Sequence, residues 1–328
     1  MNRALFRLPA WLPITIGVGM TAALVGVASG LLPQPHWPRL ALTNGLNADL
    51  RLADRADATM RQASQLIREA KRQAGLGVAG DAAADQSGLV GAEMTPLVTT
   101  LGSLESKQLS TAPAWPRVLV AQLQQAGVGR GSVVAASCSG SFPALNLAVA
   151  CACRALGARL IAVSSVTSST WGANQPGFTW PEMEARLVGA GILTTASIAV
   201  STGGDDDRAA DLEPDGRILA EQIADRAAAA LGAVRLRPSN YAQAVALRIE
   251  ALDRAAAGRQ IAVYINVGGS QASMGRSPTI LKLKSGWLER DAFSGGLEEG
   301  VMAQMARRGV RVLHLLNVRD LAVRWGIL

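Results

Sequence analysis

The sequence predicts an α/β domain, its mostly parallel sheet flanked by helices, preceded by one N-terminal transmembrane helix. Three observations carry this expectation. Five short apolar runs rich in β-branched residues recur between residues 132 and 316, with helical stretches between them; that alternation builds a parallel sheet wrapped by helices. The runs are apolar along their whole length, as in strands covered on both faces. Near the N-terminus the 22 residues Trp11–Leu32 carry no charge, and about 20 apolar residues suffice to cross a bilayer as a helix.

Residues 1–10 read as a cytoplasmic N-terminus. Arg3 and Arg7 precede the apolar stretch, and basic flanks stay inside. Residues 11–32 read as a transmembrane signal anchor. Trp11 and Trp37 bracket them as interfacial aromatics do, and Pro33, Pro35 and Pro38 end the helix. The run exceeds the roughly 7–15 apolar residues of a signal-peptide core; the small residues Ala28, Ser29 and Gly30 keep a cleaved signal peptide as the alternative. The anchor implies a single-pass protein of the inner (cytoplasmic) membrane with its main domain extracytoplasmic, in a periplasm-like space. Arg39, Arg51 and Arg55 beyond the anchor pull against that orientation, and so do unpaired cysteines. Cys138, Cys151 and Cys153 are an odd, tightly grouped set, which reads as small core residues and not as a disulfide framework.

Residues 33–92 read as a stalk helix and linker. Within them, 47–74 form an amphipathic helix with Leu50, Ala53, Ala56, Met60, Ala63 and Ile67 recurring at three or four residues; it is a stalk or a helix lying on the domain. Residues 75–91 are small, polar and unpatterned, hence a loop. The α/β domain spans 93–328. Strands are expected at 132–137, 159–164, 197–202, 261–267 and 311–316, and helices at 115–126, 142–156, 180–190, 214–231, 240–257 and 297–308. Thr179 and Glu182 form a capping box, with Pro181 in the first turn.

Composition narrows the function. With 49% hydrophobic and 17% charged residues the chain has a packed core and is not globally disordered. The net charge is +7, yet no run of five basic residues, no aromatic–basic interleaving and no zinc pattern occurs, so no nucleic acid is expected as a partner. A phosphate-loop motif, an H-E-x-x-H motif and a zinc-spaced cysteine pair are also missing; no metal and no cofactor are expected.

Polar residues collect at the expected strand ends, where ligands bind in open α/β sheets. The first strand ends in Ser137-Cys138-Ser139-Gly140-Ser141. After the second, Ser and Thr fill all but one of positions 164–170. The third leads to Asp205, Asp206 and Asp207, the fourth to Asn266-Val267-Gly268-Gly269-Ser270, and the last contains His314. Ser141, Ser165, Ser168, Trp171, Asn174, Asn266, Gly268, Gly269 and Ser270 are the expected ligand-binding residues, on a rim of neutral donors suited to a carboxylate, phosphate or peptide-like group. Ser139 and His314 are the expected catalytic pair. Ser137-x-Ser139-x-Ser141 is a degenerate relative of the nucleophile elbow, and the order Ser139, an aspartate among 205–207, His314 is that of the α/β-hydrolases. His36, the only other histidine, lies beside the anchor. The competing readings are plain: loops after strands are rich in cap residues anyway, a histidine inside an apolar strand is commonly a core residue, and three consecutive aspartates usually mark an exposed loop. Glu105 and Lys107 either reach this rim or are cap and surface residues of a short helix, the reading preferred here.

Five stretches together resemble the poly-gamma-glutamate system protein family: TPLVTTLGSLESKQLST (95–111), GSVVAASCSGSFPALNLAV (131–149), SSVTSSTWGANQPGFTWPEME (164–184), INVGGSQASMG (265–275) and LLNVRDLAVRWGIL (315–328). The resemblance spans about residues 93–328 and implies a pathway, not a reaction. It implies a membrane-anchored accessory component of the biosynthesis or export of poly-γ-glutamate, a capsule-type polymer, with the polymer or a glutamate-containing substrate, the membrane synthase subunits and the lipid bilayer (through 11–32) as partners. The alternatives are an extracytoplasmic serine hydrolase or γ-glutamyl transferase using Ser139, and a purely structural synthase subunit. A rim of neutral donors would hold carboxylates without permanent salt bridges, and the mild positive charge would attract a polyanion in a salt-sensitive way.

Overall fold

The computed structural model describes residues 49–76, 87–294 and 300–328. The expected anchor at 11–32 and most of the linker lie outside the described residues. Among the described residues no helix is long and apolar enough to cross a membrane.

In chain order the elements are α1 (Leu50–Gln73), β1 (Val98–Thr100), α2 (Leu104–Ser110), α3 (Ala114–Gln125), β2 (Val133–Cys138), α4 (Pro143–Leu156), β3 (Arg159–Ser165), β4 (Ser168–Ser169), α5 (Trp180–Gly189), β5 (Ala199–Ser201), α6 (Pro214–Leu231), β6 (Val234–Arg235), α7 (Tyr241–Ala256), β7 (Ile261–Val267), α8 (Gln271–Met274), β8 (Gly286–Leu288), α9 (Val301–Arg307), β9 (Arg311–Leu315) and α10 (Val318–Arg324). Seven strands form one sheet in the order β6-β5-β3-β2-β7-β9-β8. All neighbours are parallel except the edge pair β8–β9. The α/β architecture with a mostly parallel sheet flanked by helices is therefore as expected. All five expected strands form, the third shortened to Ala199–Ser201. The sequence pattern missed β6 and β8 at the sheet edges, the two-stranded parallel sheet β1–β4, and the short helices α8 and α10; the short helix expected around Glu105 and Lys107 forms as α2.

The alternation of side chains along each strand divides the core. Val134, Ala136 and Cys138 of β2 pack with α1, α3, α4 and α5 on one face. Val133 and Ala135 pack with α7 and α9 on the other. A third cluster beneath α6 joins Leu97, Val166 and Val200 to Ile223 and Ala224.

Helix α1 is not a stalk. Asp49 caps it by accepting from the Arg51 N–H (2.9 Å). Its stripe of Ala53, Ala56, Met60, Ala63 and Ile67 is at most 4% exposed and packs on α3 and α4. Three of those residues are alanines, so the helix sits close to its neighbours. Burying Ile67 alone is worth about 1.5–3 kcal/mol. Lys71 Nζ donates to the Val90 carbonyl (2.8 Å) and ties the 87–92 segment to the same body. The three cysteines are free and buried; burial pushes the Cys151 and Cys153 thiols up to about 12, consistent with inert core residues.

Candidate functional site

The strand order reverses between β2 and β7: the chain runs from β2 through β3, β5 and β6 to one side, then crosses to β7 and β9 on the other. Ligand crevices of open α/β sheets form at such a switch point, outside the carboxyl ends of the strands. Here the 139–142 turn and the Gly268–Gly269 turn flank it. The Ser139 N–H donates to the Val267 carbonyl (3.2 Å). Gly268 has φ +81°, and a Cβ there would collide with Ser139 Oγ; only glycine fits this backbone at this distance. Ser139 Oγ accepts from the Ser141 N–H (3.3 Å), and its carbonyl accepts from Asn146 Nδ2 (2.8 Å).

The second serine-rich turn locks into the first. Ser168 Oγ donates to the Gly140 carbonyl (3.1 Å), and the Ser169 N–H donates to Ser141 Oγ (3.1 Å). A Cβ on Gly140 would stand 2.6 Å from the Thr167 carbonyl oxygen, so the turns touch backbone to backbone. Trp171, half-buried at φ +62°, donates its N–H to the Ala92 carbonyl (2.9 Å). The Asn174 amide meets both the N–H and the carbonyl of Ala92 (3.0 and 2.6 Å). Ser168 and Asn174 are thus positioning residues of the turn, with their polar atoms committed inside the fold.

A residue that the sequence reading leaves on the surface lies at the junction. Ser103 caps α2, accepting from the Ser106 N–H (3.3 Å), and one turn on Lys107 faces inward at 2% exposure. Its Nζ donates to the Ser141 carbonyl and to Ser169 Oγ (2.7 Å), and lies 3.9 Å from the centroid of the Phe142 ring. No carboxylate pairs with it among the described residues; Glu105 points outward to Arg319 (2.8 Å). Two effects oppose each other. The ring face favours the ammonium by about 0.5–2 kcal/mol, while burial without a counter-charge disfavours it more strongly. Burial wins and draws Lys107 down to about 7. The sequence held one signal. Only four of the 32 basic residues are lysines, and Lys, unlike Arg, releases its proton when buried.

A second polar centre lies under the same strand ends on the α7 face. Arg248, fully buried, donates from Nε and Nη2 to the two Asp207 carboxylate oxygens (2.7 and 2.8 Å). It also donates to Ser165 (2.8 Å), Ser201 (2.7 Å) and Ser137 (3.3 Å). Tyr264 donates its hydroxyl proton to Ser137 Oγ (2.7 Å). Arg248 occupies one position of the buried stripe formed by Tyr241, Ala244, Val245, Ala251 and Leu252, which is a signal legible in the sequence. Ser165 therefore belongs to a closed ionic network, not to an open rim. Asp207, expected on an exposed loop, is 1% exposed and is held by Arg248.

His314 is a core residue. It is fully buried between β7 and β8, and burial draws it down to about 4. Asn266 Nδ2 donates to the Gly268 carbonyl (2.8 Å) and lies 2.9 Å from His314 Nδ1, which ties the ring into the core. No hydrogen bond joins Ser139 to a basic group among the described residues, and Asp207 is engaged elsewhere; the expected Ser139–Asp–His314 arrangement does not assemble. Gly269 is exposed and Ser270 half-buried; the Ser270 carbonyl starts α8 by accepting from Ser273 and Met274. The broad surface grooves along α7 and at the amino ends of β2 and β7 include none of these residues.

Compared with family models, curated proteins and solved structures, the chain matches none. The chemistry of the site has to be read from its own residues. Two interlocked serine turns, a buried amine without a counter-ion and the start of a 14-residue helix meet at one edge. The N–H groups of Phe142, Ala144 and Leu145, in and before the first turn of α4, have no acceptor among the described residues. Such an edge attracts negative charge.

Proposed function

We propose that the protein is a membrane-anchored accessory component of poly-γ-glutamate biosynthesis or export, and that its α/β domain holds the carboxylate-bearing chain at the carboxyl edge of the sheet. One observation carries this reading. The stretches that resemble the poly-gamma-glutamate system family, scattered over residues 95–328 in sequence, meet one another in space. Lys107 from the first bonds to Ser141 of the second and Ser169 of the third; Gly268 of the fourth packs on Ser139; Arg319 of the fifth pairs with Glu105 of the first.

The chemistry suits the ligand. A γ-linked glutamate chain offers one carboxylate per residue, and unpaired backbone N–H groups with a titrating amine bind such groups without locking them. The test is co-sedimentation of the full-length protein in lipid nanodiscs with poly-γ-glutamate. Retention at low salt that falls as ionic strength rises, and that weakens in Lys107→Gln, is expected. A protein that retains no polymer at any ionic strength contradicts direct binding and leaves only a scaffold role in the synthase.

A further inference from the structure

We infer that Ser169 and Lys107 form a nucleophile–base pair for acyl transfer, acting on the carbonyl of an amide- or ester-linked substrate that enters beside Gly102 and Ser141. The inference goes beyond polymer binding and does not rest on it. Four observations converge. The hydroxyl and the amine are 2.7 Å apart, the reach a general base needs. The other partners of the amine are the Ser141 carbonyl and the Phe142 ring face, neither of them an anion that would hold it as an ammonium. An ammonium that only clamped two turns would be buried at a net cost, with no carboxylate among the described residues to offset its lost hydration. Finally, half-exposed residues lie directly against the pair: a Cβ on Gly102 would stand 3.0 Å from Ser169 Oγ and 3.2 Å from Lys107 Cε, and Gly102 and Ser141 are both half-exposed.

The step balances without a co-reactant other than water. Neutral Lys107 takes the Ser169 hydroxyl proton as Oγ bonds to the carbonyl carbon. The bond from that carbon to the leaving nitrogen or oxygen then breaks, and the leaving group takes the proton from Lys107. Water, or an acceptor amine in a transfer, then bonds to the acyl carbon and gives its proton to Lys107; the C–Oγ bond breaks and Lys107 returns that proton to Ser169 Oγ. The free N–H groups at the start of α4 follow Ser141 directly and supply the positive field for the developing oxyanion.

The experiment treats the full-length protein with a fluorophosphonate probe, which phosphonylates activated serines and contains no glutamyl group, and maps the adduct by peptide mass spectrometry across roughly pH 5–9. The adduct is expected on Ser169, with a rate that rises as pH passes about 7 and Lys107 becomes neutral. Lys107→Arg, which keeps the charge but cannot serve as base, should slow labelling by about 10²-fold or more. Gly102→Ala, whose Cβ would press on Ser169 Oγ and Lys107 Cε, should slow it while the thermal transition stays cooperative, and this keeps the test valid if Lys107→Arg does not fold. An adduct on Ser139 or Ser141, equal labelling of Lys107→Arg, or no adduct at any pH overturns the inference. Polymer retention is read separately, so either proposal can fail alone.

Discussion

Two buried cations sit under the same strand ends and are treated in opposite ways. Arg248 is enclosed by a bidentate carboxylate and three serines. Lys107 has a carbonyl, a serine and a phenyl ring and, among the described residues, no carboxylate. The first arrangement is closed: the guanidinium is paired with a carboxylate, and the network joins the ends of β2, β3 and β5 to α7. The second is open in the chemical sense, because its amine is left able to exchange a proton. The difference separates the part of the rim that holds the fold from the part that has chemistry to spare, although serines fill both.

That contrast is easiest to break by truncation. Arg248→Met strands the Asp207 carboxylate in the core, and loss of about 3–5 kcal/mol is expected, read as a lower urea midpoint. Glu184 gives the next effect. It is buried against Ser197 and Ser164 (2.9 and 3.4 Å), and burial raises it from 4.5 to about 7. A carboxyl raised in the folded state contributes stability that is full below about 4.5 and is lost as pH rises through about 7. Glu184→Gln should remove this slope and leave the protein more stable than its parent above that range, by an amount on the order of 3 kcal/mol; urea titrations at several pH values check it. Lys107→Met is expected to cost only about 1–3 kcal/mol, because it leaves the Ser141 carbonyl and the Ser169 hydroxyl without their donor but strands no charge. A large loss in Lys107→Met would make the two cations equivalent and remove the contrast.

The sequence revealed these regions unequally. The strands were legible because SVVAAS, RLIAVS and IAVYINV are apolar throughout and bounded by turn residues. The position of α1 was not, since an apolar stripe of alanines fits a stalk and a docked helix alike; the decision lay with α3 and α4, far along the chain. Arg248 and Glu184 each interrupt the buried stripe of a helix, and an interruption of that kind marks a buried polar centre from the residue pattern alone. Lys107 escapes such a pattern because a seven-residue helix carries too few positions to define a buried face. His314 misled for a related reason: chain order matched a triad, but its place inside β9 gave its ring to Asn266 and the core.

Lysine is scarce enough in this chain to allow one direct measurement. The Nζ resonances of the four lysines, observed by heteronuclear NMR on the full-length protein in nanodiscs and assigned with Lys107→Met, can be titrated individually. A Lys107 amine that loses its proton near neutral pH, and that shifts in Ser169→Ala, is the expected result. A Lys107 that stays an ammonium until the ordinary lysine range near 10.4 would make it a structural clamp and would leave Ser169 without its base.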